Sequence, residues 1–131
     1  MTRTEARNEL FILIFEKQFS ESTLEEIIES AKESRDFFED KDGYIINSFN
    51  GVYDNLEVID GVIADNLKGW TIDRISKVSL AVLRLAIYEI RYIDEIPESV
   101  TIDEAVELCK KYSTTDDASF VNGVLGSVVR A

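Results

Sequence analysis

Residues 76–93 constrain the fold more than any other stretch, because they are apolar around nearly the whole circumference of a helical wheel. Such a helix has to be covered on most sides by other elements. It is too short and too charged to span a membrane. The charges that interrupt it are Lys77, Arg84, Glu89 and Arg91. The sequence therefore predicts an all-α fold, a compact bundle of about seven helices around a buried central helix.

The length of 131 residues predicts one domain, residues 1–131, with a core of its own. The first apolar run, residues 10–15, is short and bounded by charges, so we expect neither a signal peptide nor a transmembrane span. A single cysteine, Cys109, excludes an internal disulfide and indicates a reducing, cytoplasmic setting. We expect Cys109 to be a small core residue.

The absence of histidine lowers the expectation of an enzyme. It removes the commonest general base, the usual zinc ligands and every Ser-His or Cys-His nucleophile pair. A site made only of carboxylates stays open, but there is no EF-hand loop and no Gly-rich phosphate loop. The composition therefore disfavours an enzyme, and we expect no cofactor and no metal.

The net charge of −12 is concentrated in one region. Residues 21–73 carry four basic and fourteen acidic side chains, whereas the two ends of the chain are nearly neutral. Repulsion from phosphates argues against tight, unaided binding of nucleic acid. The charge suits a basic protein partner better.

Apolar periodicity and capping residues predict the helices. Ser22 (in a capping box with Glu25), Asp54 and Thr101 are candidate N-terminal caps, and Thr71 or Asp73 can cap the central helix. The predicted helices are residues 4–19, 24–38, 44–53, 55–68, 76–93, 101–111 and 119–129.

Several individual residues also carry predictions. We expect Arg84 and Glu89 each to reach a partner on a neighbouring helix or loop. The alternative is that the two residues form a catalytic Arg–Glu pair. Gly61 and Gly123 are expected at close helix crossings. Trp70 and Ile72 are expected to close one end of the bundle.

Arg3 and Arg7 lie four residues apart on one face of the first helix. Two readings are open for this pair. Both arginines are solvated and paired with neighbouring glutamates, or they contact phosphates.

Three segments in the C-terminal half resemble the NusB family of transcription antitermination factors. They are WTIDRISKVSLAVLRLAIYEI, IPESVTIDEAVELCKKY and FVNGVLGSVVR, in this order and with short connectors. The N-terminal Ala6-Arg7 fits the family more loosely, and residues 20–68 resemble it mainly in helical pattern. The resemblance implies a NusB-like helical bundle without enzymatic activity.

The resemblance also implies two binding surfaces. The positions that match the family's RNA surface are Arg3, Arg7, Asp116 and Phe120. The positions that match its NusE-binding surface are Phe15, Asp73 and Ser79. Thr4 and Glu5 stand where other members often carry arginines, so we expect weak RNA binding without NusE. From pattern alone, Phe15 is equally well a core residue.

The function that the resemblance implies is RNA-dependent antitermination. Family members bind the boxA element of ribosomal RNA leaders together with NusE, a small-subunit ribosomal protein, and act with NusA, NusG and RNA polymerase. Some members form homodimers, so a homodimer is also open. Two alternatives remain: the accessory RNA-binding domain of a ribosomal RNA cytosine methyltransferase, and a helical adaptor that binds only protein.

Overall fold

The computed structural model describes residues 1–34, 40 and 42–130. These residues form seven α-helices and one short 3-10 helix, Ile72–Arg74, and contain no strand. The α-helices are α1 (Arg3–Lys17), α2 (Leu24–Ser34), α3 (Tyr44–Asp54), α4 (Leu56–Asp65), α5 (Lys77–Tyr92), α6 (Glu98–Tyr112) and α7 (Thr115–Arg130). The predicted all-α bundle is confirmed. The predicted extension of the second helix to residue 38 lies outside the described residues.

Helix α5 is the buried centre of the bundle, as its sequence predicts. It packs against α1, α3, α4, α6 and α7. Its fully buried apolar residues are Ala81, Val82, Leu83, Leu85 and Ala86. Ser76 caps the helix, since its hydroxyl accepts the backbone N–H of Ser79 at 3.0 Å. This bond satisfies one of the N–H groups that a helix start leaves open. The prediction that Thr71 or Asp73 caps the central helix is therefore wrong, because a 3-10 helix and Ile75 separate both residues from its start.

Two capping boxes fix the starts of the N-terminal helices. Thr2 and Glu5 cap α1 reciprocally, side chain to backbone in both directions. Thr23 and Glu26 do the same for α2. The backbone N–H donated by Thr2 also holds the pKa of Glu5 below its ordinary value. The predicted capping box of α2, Ser22 with Glu25, is wrong by one residue, since Thr23 and Glu26 form it.

Two other predicted caps are wrong. Helix α6 begins at Glu98, directly after Pro97, so Thr101 lies inside its first turns. Proline suits a helix start because it has no N–H to leave unpaired. Asp54 is the last residue of α3, and Asn55 precedes α4 without a side-chain cap bond.

Predictions about the ion pairs, tryptophan and glycines have mixed outcomes. Arg84 reaches Asp60 on α4 with two hydrogen bonds of 2.9 Å, as expected of a charge on the central helix. Trp70 is 54% exposed and does not close the bundle. Gly61 and Gly123 face open space, so neither marks a close crossing.

Candidate nucleic-acid and partner interfaces

Arg7 is buried at the centre of a polar cluster instead of facing solvent. Its side chain donates to both carboxylate oxygens of Glu89, from Nε at 2.7 Å and from Nη2 at 3.1 Å. Glu89 also accepts hydrogen bonds from the hydroxyls of Tyr44 and Thr101. We call Arg7, Tyr44, Glu89 and Thr101 the buried polar cluster. It joins α1, α3, α5 and α6 at one point of the core.

Burial and the Glu89 charge explain why Arg7 and Tyr44 both stay protonated in the cluster. Desolvation alone would lower the pKa of Arg7, but the Glu89 carboxylate outweighs it, so the pKa of Arg7 is raised. Desolvation and the same carboxylate raise the pKa of Tyr44. Tyr44 is therefore a lasting hydrogen-bond donor to Glu89.

The expectation of two solvated arginines is thus wrong for Arg7, which is 1% exposed. A buried arginine paired with a carboxylate is already satisfied, and the structure gives it no surface on which to meet a phosphate. The sequence placed Arg7 and Glu89 on different helices, 82 residues apart, and only folding brings them together.

Arg3 is the member of the pair that reaches the surface. Its side chain is 39% exposed and pairs with Asp42, with Nη2 2.6 Å from Oδ2. The guanidinium carbon lies 4.2 Å from the centre of the Tyr44 ring, which is a cation–π geometry. Arg3 is therefore available to solvent while being held in place.

Asp116 and Phe120 line a groove between the start of α7 and the segment before α5. We call it the α7 groove; its volume is about 390 Å³. Its lining residues are Trp70, Arg74, Ile75, Ser76, Asp116, Asp117 and Phe120. The Ser76 hydroxyl donates to Asp117 at 3.0 Å and so ties the two walls together.

The α7 groove combines aromatic rings with one cation. Trp70 and Phe120 are partly exposed, and Arg74 is exposed beside them. Unstacked RNA bases rest on such rings, while arginine holds phosphate. The carboxylates of Asp116 and Asp117 oppose this by repelling phosphate.

Sequence reasoning missed Trp70 and Arg74 as site residues. Both belong to a segment that matches the NusB resemblance, and that was the available signal. Nothing nearby in the sequence indicates a groove at these residues, because its other wall, on α7, is more than forty residues away along the chain.

The three positions matched to a protein partner have different exposures. Phe15 is partly buried in a row of rings at the end of α1, 5.9 Å between ring centres from Phe11 and 5.1 Å from Phe19, which follows the helix. Asp73 is exposed in the 3-10 helix, where it accepts the Thr71 hydroxyl.

Ser79 is fully buried, which corrects the expectation that it faces a partner. It lies in the first turn of α5 on the side that points into the bundle. Its hydroxyl oxygen has no hydrogen-bond partner among the described residues. A partner protein has no access to this side chain.

The described residues offer neither a metal site nor a membrane-spanning helix. No group of three or more cysteine, aspartate or glutamate side chains in residues 1–34, 40 and 42–130 could hold a metal ion. No helix formed by these residues is long and apolar enough to cross a membrane.

Comparison with known proteins identifies the family. The model of the NusB family matches residues 3–130. The chain belongs to the NusB family. A transcription antitermination protein NusB from Acetivibrio thermocellus is 45% identical over 130 residues, which are 99% of this chain and 90% of the relative.

Solved NusB structures share the fold over almost the whole length. NusB of T. maritima aligns with a TM-score of 0.88 at 36% identity and covers 99% of this chain and 92% of its own. A chain from the crystal structure of the antitermination factors NusB and NusE in complex with dsRNA aligns with a TM-score of 0.87 at 25% identity, over 99% and 98%. The NusB-like fold class is confirmed.

Proposed function

We propose that this protein is an RNA-binding transcription antitermination factor that binds boxA of ribosomal RNA leaders together with NusE. In this role it promotes read-through by RNA polymerase, alongside NusA and NusG, in the cytoplasm and without catalysis. The observation that carries the proposal is the NusB family match over residues 3–130. The fold shared with a NusB–NusE–dsRNA complex supports it.

The α7 groove supplies the RNA contacts in this proposal. Trp70 and Phe120 stack against bases, and Arg74 holds a phosphate next to them. Asp116 limits the number of phosphates that the groove tolerates. Arg3 adds a second phosphate contact outside this groove. Arg7 does not contact RNA and contributes only by stabilising the fold through Glu89.

A second protein offsets the acidity of this chain. The net charge is −12, and Arg74 is the only basic side chain that lines the described α7 groove. Unaided RNA affinity is therefore low, and NusE adds the missing positive charge. Phe15 and Asp73 lie on the NusE side in this proposal, and Ser79 supports the helix behind them.

The test is a gel shift of boxA RNA with three samples: the protein alone, NusE alone and the two together. We expect a shift at low protein concentration only with both. The affinity of the two proteins together for boxA RNA should fall steeply as salt rises, because phosphate contacts release counterions. An RNA of the same length with a scrambled boxA is the control.

Two results would contradict the proposal. Equal affinity with and without NusE would remove the requirement for the partner. NusE binding with no RNA binding at any salt concentration would favour an adaptor that binds only protein.

A further inference from the structure

Tyr44 connects the interior of the protein to a surface cation. Its hydroxyl donates to Glu89 in the buried polar cluster, and the residue is only 4% exposed. The face of its ring lies under the Arg3 guanidinium at 4.2 Å. Because Glu89 is also held by Arg7 and Thr101, the ring under Arg3 cannot turn away.

Asp42 holds the same arginine from the solvent side. One carboxylate oxygen accepts the backbone N–H of Tyr44 at 3.2 Å, and the other accepts Arg3 at 2.6 Å. Gly43 makes this arrangement possible, since its φ of 72° lies in the left-handed region. A Cβ there would lie 2.7 Å from the Asn47 side chain.

We propose that Tyr44 is a positioning residue for RNA binding, which presents Arg3 to a phosphate, and that Asp42 is the internal counter-ion that the phosphate displaces. This inference rests on the proposed function. A guanidinium held over a ring by its charge still has N–H groups that point away from the ring, and a phosphate can take two hydrogen bonds from them.

The exposure of the pair makes the exchange feasible. Arg3 is 39% and Asp42 62% exposed, and an ion pair in such a position contributes little net free energy. A phosphate replaces one anion by another, so Arg3 stays paired throughout. Free protein therefore carries a competitor for its own RNA contact.

The test measures boxA RNA affinity by fluorescence anisotropy at a fixed, saturating concentration of NusE and at several salt concentrations. Asp42→Asn removes the competing charge and keeps the shape. We expect it to raise affinity about two- to fivefold, as expected for the loss of one exposed ion pair. Asp65→Asn, an exposed carboxylate on α4, is the matched control and should change affinity less.

A double variant separates this contact from general charge. Arg3→Gln should lower affinity and reduce the slope of log affinity against log salt by about one. In the Arg3→Gln background, Asp42→Asn should have no further effect. An equal gain from Asp42→Asn in both backgrounds would overturn the inference.

Two tyrosine variants test the positioning step. Tyr44→Leu removes the ring under Arg3, and we expect it to reproduce the reduced salt slope of Arg3→Gln. Tyr44→Phe keeps the ring but loses the hydroxyl that bonds Glu89, so its slope should lie between the wild-type value and that of Tyr44→Leu. A slope that Tyr44→Leu leaves at the wild-type value would contradict the positioning role, provided that circular dichroism shows the variant folded.

Failure of this inference differs from failure of the proposed function. If the wild-type protein with NusE does not bind boxA RNA, both fall. If the wild type binds but Asp42→Asn behaves like Asp65→Asn, only the inference falls.

Discussion

At the scale of single residues, the buried Arg7–Glu89 pair is where we expect a substitution to lower stability strongly. Both side chains are almost completely buried, and Glu89 is held by donors from three other helices. A buried pair of this kind adds little over an apolar pair of the same shape. Its loss on one side is costly, because the remaining charge stays in the core without its partner.

We expect Arg7→Met to lower the free energy of unfolding by about 3–5 kcal/mol, since it leaves the Glu89 carboxylate buried. The double variant Arg7→Met with Glu89→Gln should regain part of this loss. Urea unfolding followed by circular dichroism measures both.

The matched control for this prediction is Lys110→Met. Lys110 pairs with Glu107 at 3.6 Å on the surface of α6, so its loss should change stability by less than about 0.5 kcal/mol. Similar losses of stability for Arg7→Met and Lys110→Met would show that burial does not make the loss of Arg7 costly, and would contradict the prediction.

At the scale of helices, α3 and α5 come close together at Gly51. A Cβ added at Gly51 would lie 2.4 Å from the Tyr88 ring. That ring is also packed against Tyr92, 5.3 Å away between centres. Glycine at position 51 therefore sets how near the two helices come, whereas Gly61 and Gly123 have room around them.

We expect Gly51→Ala to destabilise the protein by about 1–3 kcal/mol, because the half-buried Tyr88 ring has to move away from the added carbon and shift against Tyr92. Gly61→Ala and Gly123→Ala should each stabilise it by about 0.5–1 kcal/mol, because they only improve helix propensity. Urea unfolding compares the three variants.

Removing the Tyr88 ring tests whether it causes the cost of Gly51→Ala. In a Tyr88→Ala background, the cost of Gly51→Ala should disappear. A cost that persists there would mean that the ring is not what limits substitution at position 51.

At the scale of the whole molecule, the α7 groove exists only because two distant segments meet. Residues 70–76 form one wall, and residues 116–120 form the other. Trp70 is the only tryptophan in the chain and is 54% exposed at this groove. An exposed ring of this size contributes little to the core, so its effects should concern binding more than folding.

We expect Trp70→Ala to weaken boxA binding in the presence of NusE roughly five- to a hundredfold, from the loss of base stacking. Its unfolding midpoint in urea should stay close to the wild-type value. Quenching of the single tryptophan on RNA addition gives a second, direct signal.

Val58→Ala is the control for Trp70→Ala, because Val58 is another exposed apolar side chain, 45% accessible and on α4. It should leave RNA affinity unchanged. If both variants bind RNA like the wild type, the groove is not the place where bases stack.

The sequence determined the fold class and the family of this protein. A helix apolar on nearly all sides needs neighbours, and the capping pattern before α2 located the start of that helix to within one residue. The sequence also predicted that Arg84 and Glu89 would each have a partner on a neighbouring helix or loop, because buried charges require partners. It did not predict which residues those partners are.

Only the tertiary structure decided which polar residues face inward and which walls form a site. Thr101 has the pattern of a cap but serves Glu89 as a donor, and Arg7 has the spacing of a surface residue but lies in the core. Trp70 and Arg74 meet Phe120 across more than forty residues of chain. Local patterns report the neighbours of a residue along one helix, whereas burial and sites depend on helices that approach from elsewhere in the sequence.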